Sequence, residues 1–390
     1  MAIIVKKRKV FFIITNFIHY SRNLFVIEEL HKRKDIELHI VIGGSALLSR
    51  YSSREAGIMR ILDQEGYKNL HEIYFNLEGD LPIVKGKTTG LGMIEFSTLF
   101  KDQKPDIVVV RGDRFEVIAV TIAAAYANIP IAHIEGGDIS GTIDESVRHA
   151  ITKFSHIHFP TNTEAKERIV KMGEDPKYVF NFGSPDVEVV SRMAKKDYPI
   201  DINKTGSGAE IFLKKDYIVV MYHSVTTELK DNTENIKKLI RVIHGLNMQV
   251  LWFWPNADVG SEEISHQLRI FNDQVKKHTV RFLRDIPPKK FITLLKNSRC
   301  LVGNSSAGIK ECSYLGIPVV NVGSRQEGRL RAENVLDVPC DEKLIKKAIQ
   351  IQLKKRRYPA SYIYDASGTS KKIAEVIATV ELYVQKKFVN

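Results

Sequence analysis

The sequence predicts an α/β protein of two domains, each built on a mostly parallel sheet. Three observations lead there. Short β-rich apolar runs alternate with longer helical ones, which is the pattern of βαβ units. That rhythm lapses in a polar stretch, 195–215, and then restarts. The chain of 390 residues is also longer than one ordinary core encloses. The expected division is 1–190 and 191–369, with a C-terminal helix at 370–390 docking on the body.

In chain order, apolar runs at 10–15, 38–43, 107–111, 131–134, 156–160 and 179–182 read as the strands of the first domain. Helical patterns fall between them at 23–34, 116–127 and 144–153. Pro199, Gly206 and Gly208 mark the polar stretch as a connection. Strand-length runs then return at 217–222, 249–253, 280–283, 300–302 and 319–322. The last run, 370–388, carries Ile373, Val376, Ile377, Val380 and Val384 at three/four spacing, a helix that could dock on either domain.

Composition narrows the class. Hydrophobic residues make up 44% and charged residues 27%, a soluble globular profile. No run approaches the roughly 18–20 apolar residues of a membrane span, and the opening MAIIVKKRKVFFIIT reads as a first buried strand rather than a signal peptide. Cys300, Cys312 and Cys340 lack paired metal-ligand spacing, which fits a reducing cytoplasm and no metal site. The net charge of +12 comes without interleaved aromatics, so it points to anionic small molecules and not to nucleic acid.

The polar residues of interest sit at strand ends, where open parallel sheets bind ligands. Asp113 follows IVVVRG, and Glu135 follows IPIAHI in the run HIEGGDISGTIDESVRHAITK, which also holds Asp144 and Glu145. Three carboxylates (Asp113, Glu135, Asp144) in neighbouring βα loops would repel and shift one another's pKa values, which is useful for passing protons. In the second domain His223 follows YIVVMY, and GNSSAGIKE (303–311) reads as a strand–loop–helix junction. Its amides and the hydroxyls of Ser305 and Ser306 could cradle a diphosphate, with Glu311 accepting from ribose; the plain alternative is an ordinary N-cap. Arg325 and Asn256 are further strand-end candidates, with a surface arginine and a turn residue as their plain readings. No G-x-G-x-x-G follows the first strand, so a tightly held NAD is not expected. Gly86–Lys87–Thr88 fails as a P-loop end because the required upstream glycine is Leu81.

Taken together, VRGDRFE, HIEGGDISGTIDESVRHAITK, NSSAGIKE and GSRQEGR resemble the UDP-N-acetylglucosamine 2-epimerases, and their hydrolysing branch most of all. The resemblance runs from the first strand to about residue 335. It implies two Rossmann-like domains of the GT-B type, with a nucleotide sugar in the central cleft and no cofactor. It also implies a homodimer, and a place in making sialic- or legionaminic-acid-type sugars. The catalytic carboxylates it implies are Asp113, Glu135 and Asp144. Its implied nucleotide contacts are Ser21, Arg114, His223, Asn256, Ile286, Ser305, Ser306, Glu311 and Arg325. One departure stands out in TNFIHYSR: Phe17 occupies the place of a family arginine and His19 that of an acidic residue, so a bidentate phosphate clamp is missing unless Arg22 or His19 substitutes. The reaction implied is elimination to a glycal followed by hydration. A GT-B glycosyltransferase and a non-catalytic nucleotide-sugar binder are the alternatives.

Overall fold

The computed structural model describes residues 6–48, 57–256, 258–275, 279–284, 286–364 and 367–389. Residues 1–5 of the opening stretch therefore lie outside it. Val10 to Ile14, Val108 to Val110 and Ile131 to Ile134 are near-continuous apolar runs, buried on both faces, as parallel strands sandwiched between helices must be. They belong to sheet A, whose strands are β1 (Arg8–Ile14), β2 (Ile36–Gly43), β3 (Leu70–Ile73), β4 (Ile107–Arg111), β5 (Ile131–Ile134) and β6 (Ile157–Phe159). All its pairings are parallel, in the order β3-β2-β1-β4-β5-β6. Helices α1 (Phe17–Lys32), α4 (Phe115–Tyr126), α5 (Ile143–Phe154) and α7 (Pro185–Met193) follow its strands.

Sheet B is centred on β8 (Tyr217–Met221), with β9 (Gln249–Phe253) and β10 (Val280–Leu283) on one side and β11 (Leu301–Gly303), β12 (Val319–Val322) and β13 (Val335–Val338) on the other. Its pairings are parallel except at the edge, where β7 (Ser207–Gly208) lies antiparallel to β10. The polar connection is held there by Arg281, whose guanidinium donates to the carbonyls of Ile202, Asn203, Thr205 and Ala209 at 2.6–3.0 Å. Strand order reverses between β1 and β4 in sheet A and between β8 and β11 in sheet B. Those two switch points are where ligands settle in open parallel sheets.

Two expected elements come out differently. The stretch 179–182 makes only an isolated bridge, His158 to Val179, because Gly183 (φ 83°) and Pro185 turn the chain into α7. The expected helix over 370–388 is shorter: α14 spans Thr369–Thr379, and Val380 leaves it with ψ 139°. Beyond it, long-range bonds outweigh local spacing: His156 Nε2 meets the Val384 carbonyl at 2.9 Å, and Lys386 bonds Glu174 at 2.6 Å. α14 docks on the sheet A half, burying Ile373, Ala374 and Ile377 against residues such as Val10 and Leu30.

Candidate active site

The loops leaving β1, β4 and β5 face those leaving β8, β9, β10 and β11 across a cleft holding two adjoining chambers. The first, about 200 Å³, takes in Ser21, His223, Asn256, Ile286, Ser305, Ser306, Glu311 and Arg325. The second, about 110 Å³, takes in Asp113, Arg114, Glu135 and Asp144, and shares Asn256, Ser306 and Arg325 with the first. All twelve residues singled out in the sequence thus line one chamber or the other. Phe17 is on the wall of the first chamber, and His19 on that of the second.

Glu135 comes immediately after β5 and adopts φ 70°, a backbone conformation that costs a non-glycine residue about 1–3 kcal/mol and collects at functional sites. Gly136 and Gly137 let the loop turn at once. A Cβ on Gly136 would meet His133 Nδ1 at 2.8 Å, and one on Gly137 the Ala165 carbonyl at 2.4 Å. His133 Nε2 contacts the Gly112 carbonyl at 2.8 Å, tying the Glu135 loop to the loop that carries Asp113. Asp144 enters from the first turn of α5, where Thr142 is the N-cap and its hydroxyl donates to Asp144 Oδ2 at 3.1 Å.

The three carboxyls occupy different electrostatic environments. Burial pushes Glu135 up, but Lys310 and Arg111 outweigh it and hold the group well below the usual carboxylate range. Arg111 donates to Glu135 Oε2 at 2.9 and 2.6 Å, and Lys310 binds Oε1. Burial likewise pushes Asp113 up, and Arg148, bonded to its Oδ2, together with Arg329 brings it below its ordinary value. Among the described residues no cation bonds Asp144. Burial and then the charges of Asp113 and Asp258 push it up to about 6, and Arg325 and Arg114 lower it only weakly from further off. One carboxyl of the three can therefore carry a proton near neutrality while two stay ionised.

The opposite wall is cationic and rich in donors. Asn304 pins the sheet B switch point, its Oδ1 accepting from His223 N at 2.7 Å and its Nδ2 donating to the His223 carbonyl at 2.9 Å. His223 Nδ1 accepts from Asn256 N at 3.1 Å, so its ring proton sits on Nε2. Burial and then Arg325 bring this imidazole down to about 3, leaving it a neutral donor. Ser305 does cap the four-residue helix α11 (Ser306–Ile309), at 3.3 Å from Ala307 N. The plain reading thus applies, but its hydroxyl proton stays free to donate. Ser306 Oγ accepts from Arg22 at 3.1 Å. The helix breaks at Lys310, and α12 (Glu311–Leu315) starts afresh. There Glu311 Oε1 takes Arg22 at 3.0 Å, while its buried Oε2 has no hydrogen-bond partner among the described residues. Arg114 Nη1 donates to Asp258 Oδ1 at 3.0 Å, and Arg325 approaches Asp258 Oδ2 at 3.6 Å.

Several residues that build the site were not singled out in the sequence: Lys310, Arg111, Arg148, Asp186 and Asp258. Arg111 also bonds Asp186, and Arg22, read only as a possible substitute clamp, lies 3.5 Å from the same carboxylate. The available signal was a charge embedded in an apolar run, as in IVVVR and GIKEC. Among the described residues no group of three or more His, Cys, Asp and Glu side chains is placed to hold a metal ion, and no helix is long and apolar enough to cross a membrane.

The profile of the UDP-N-acetylglucosamine 2-epimerase family matches residues 28–378. The UDP-N,N'-diacetylbacillosamine 2-epimerase (hydrolyzing) of Legionella pneumophila is 30% identical over 97% of each chain. The GDP/UDP-N,N'-diacetylbacillosamine 2-epimerase (hydrolyzing) of Campylobacter jejuni is 33% identical over 81% of this chain and 80% of its own. The Neisseria meningitidis UDP-GlcNAc 2-epimerase structure with UDP-GlcNAc bound has a TM-score of 0.75 at 18% identity, covering 95% of this chain and 99% of that one, a likeness of fold.

Proposed function

The chain belongs to the UDP-N-acetylglucosamine 2-epimerase family, and from that premise we propose that it is a hydrolysing 2-epimerase, converting a UDP-2-acetamido sugar to the free manno-configured sugar and UDP. The two candidate substrates are UDP-N-acetylglucosamine and its 2,4-diacetamido-6-deoxy relative, UDP-N,N'-diacetylbacillosamine. The observation that carries the reading is the unequal set of carboxyls, with Asp144 near 6 beside ionised Asp113 and Glu135, facing a wall of neutral and cationic donors.

The C2 proton of such a sugar is not acidified by any neighbouring carbonyl. Its removal becomes feasible as the diphosphate leaves C1 and positive charge builds on the ring. Elimination therefore needs an ionised carboxylate near C2 and a clamp for the departing anion. Glu135 is assigned as the base. His223 Nε2–H, the Ser305 and Ser306 hydroxyls, Arg325 and Arg22 stabilise charge on the leaving group. Hydration of the glycal then adds water at C1 and a proton at C2 from the other face. Asp144 is the group able to hold that proton, and Asp113 takes one from the attacking water. Contacts between the halves, such as Gly141 N to the Arg325 carbonyl at 3.3 Å, exclude bulk water while the glycal exists. Glu311 Oε2, without a partner among the described residues, is the acceptor for ribose hydroxyls.

A glycosyltransferase has no need of an acid and two bases around C2, which favours the epimerase over that alternative. The homodimer expected from the resemblance stays part of the proposal, with exposed Leu81, Ile83 and Ile94 as the apolar surface available to it. The test is a panel of UDP-2-acetamido sugars scored for released UDP and for the C2 configuration of the free sugar. Release with manno configuration supports the reading. Binding without turnover across the panel at high enzyme concentration refutes it.

A further inference from the structure

Lys310 is carried by the sheet B half, at the break between α11 and α12, yet its ammonium ends inside the sheet A half. It is 0% exposed and lines neither chamber, so it meets no ligand directly. Its Nζ binds Glu135 Oε1 and lies 3.5 Å from Asp138 Oδ2 and 3.8 Å from Asp186 Oδ2, over the Tyr364 ring. The other oxygen of Glu135 is held by Arg111 from its own sheet. One oxygen of this carboxylate therefore depends on the opposite half of the molecule.

We propose that Lys310 is a positioning residue that reaches across the cleft to fix the orientation and charge of Glu135 only while the two halves are closed. The inference rests on the epimerase reading and adds to it that closure itself arms the base. When the halves part, the ammonium must leave with sheet B. Arg329, on the loop after β12, leaves with it, so Glu135 keeps Arg111 from β4, with Arg22 of α1 and Arg148 of α5 at longer range, against the like charges of Asp113, Asp138 and Asp186. Losing two of its cations pushes this carboxyl up, against the relief of burial that parting brings. The carboxylate is thus set to take the C2 proton only once the halves have closed around the sugar.

The experiment compares wild type, Lys310→Met and Lys310→Arg by kcat/KM against pH, on a sugar that turns over, with UDP affinity by calorimetry. In Lys310→Met the acid limb moves up by about one pH unit or more, the range a lost charge partner gives, while UDP affinity stays within about twofold. Lys310→Arg keeps the wild-type limb. A loss of rate in Lys310→Met that is equal at every pH, or a limb in Lys310→Arg displaced as far as in Lys310→Met, overturns the inference. Should Lys310→Met fail to fold, carbon-13 titration of wild type labelled at the glutamate carboxyls decides it, with the Glu135 signal assigned from Glu135→Gln. That signal stays ionised below 4.5, the ordinary glutamate value, in wild type and titrates higher in Gly141→Ala, whose Cβ would press on the Ser324 carbonyl of the opposite half, if the inference holds; the same midpoint in both sinks it. Wild type that turns over no sugar defeats the epimerase reading alone, because the carboxyl titration still reports on Lys310.

Discussion

Replacing Asp144 by Asn should make the protein more stable and inactive at once. The folded protein holds this carboxyl at about 6 against an ordinary 3.8, with burial the first cause and the charges of Asp113 and Asp258 next. Because the folded value lies above the unfolded one, ionising Asp144 works against the fold. That cost is absent below 3.8, grows as pH rises, and is complete above about 6. A shift of this size corresponds to about 3 kcal/mol. Asp144 is half-buried and faces the chamber, so solvent screening reduces this to about 1–2 kcal/mol. Asn removes the charge and still accepts the Thr142 hydroxyl bond. At pH 7.5 the variant should therefore melt about 1–3 °C above wild type, in a chain of this length. The gap should close as pH falls toward 4. Turnover should fall by at least about 100-fold, within the range seen when a proton-transferring group is lost. In wild type, kcat/KM should decline as pH rises through about 6 if Asp144 must be protonated. The kcat profile should decline at a higher pH, because the bound diphosphate adds negative charge. Scanning calorimetry at pH 4.5 and 7.5, paired with rates at the same pH values, reads all of this. A stability change identical at both pH values would refute the electrostatic argument, and retained turnover would refute the role of Asp144.

Other perturbations probe separate parts of the molecule. Phe17→Arg places a guanidinium on the wall of the first chamber; a charge-assisted bond of about 1.5–3 kcal/mol should tighten UDP binding about tenfold or more by calorimetry, and unchanged affinity would show that Arg22 already fills that role. Gly141→Ala puts a Cβ 2.2 Å from the Ser324 carbonyl across the cleft, so kcat should drop about 100-fold with UDP affinity nearly intact. Unchanged kcat would mean that the halves need not close this tightly. Glu174 receives Lys153 and Lys386 at 2.6 Å and His158 at 3.1 Å; burial pushes it up, but these three partners bring it down to about 2. Glu174→Gln should cost about 2–3 kcal/mol at pH 7 with turnover unaffected. Since a lowered carboxyl stabilises above its ordinary value of 4.5 and loses that effect as pH falls toward 2, the deficit should shrink in acid, as unfolding midpoints would show.

The central strands were legible because parallel strands buried on both faces must be nearly all apolar, as 10–14 and 107–110 are, whereas the half-buried edge strands β3 and β13 carry no such run. The strand-end residues were legible for a related reason: a polar side chain closing such a run has nowhere to point but the sheet's edge. What stayed hidden depends on partners far away in the chain. Lys310 reads as one more charge on a basic protein until the opposite half supplies Glu135. The end of α14 is set by His156 and Glu174, more than 200 residues upstream, so its three/four spacing misleads past Thr379. Helix α3 (Pro82–Gln103) carries Gly86, Gly90 and Gly92, which weaken any helical signal. Gly92 is explained only by the fold, where a Cβ would press on Ala119 and Phe75 at 3.1 Å.

The central claim is that carboxyls from the sheet A half move a proton at C2 while the sheet B half takes the departing diphosphate. Turnover of a UDP-2-acetamido sugar in deuterated water tests it most directly. The predicted product is the free manno sugar with one deuterium at C2, formed together with UDP. A free sugar that keeps its original C2 proton, or keeps the gluco configuration, would contradict it.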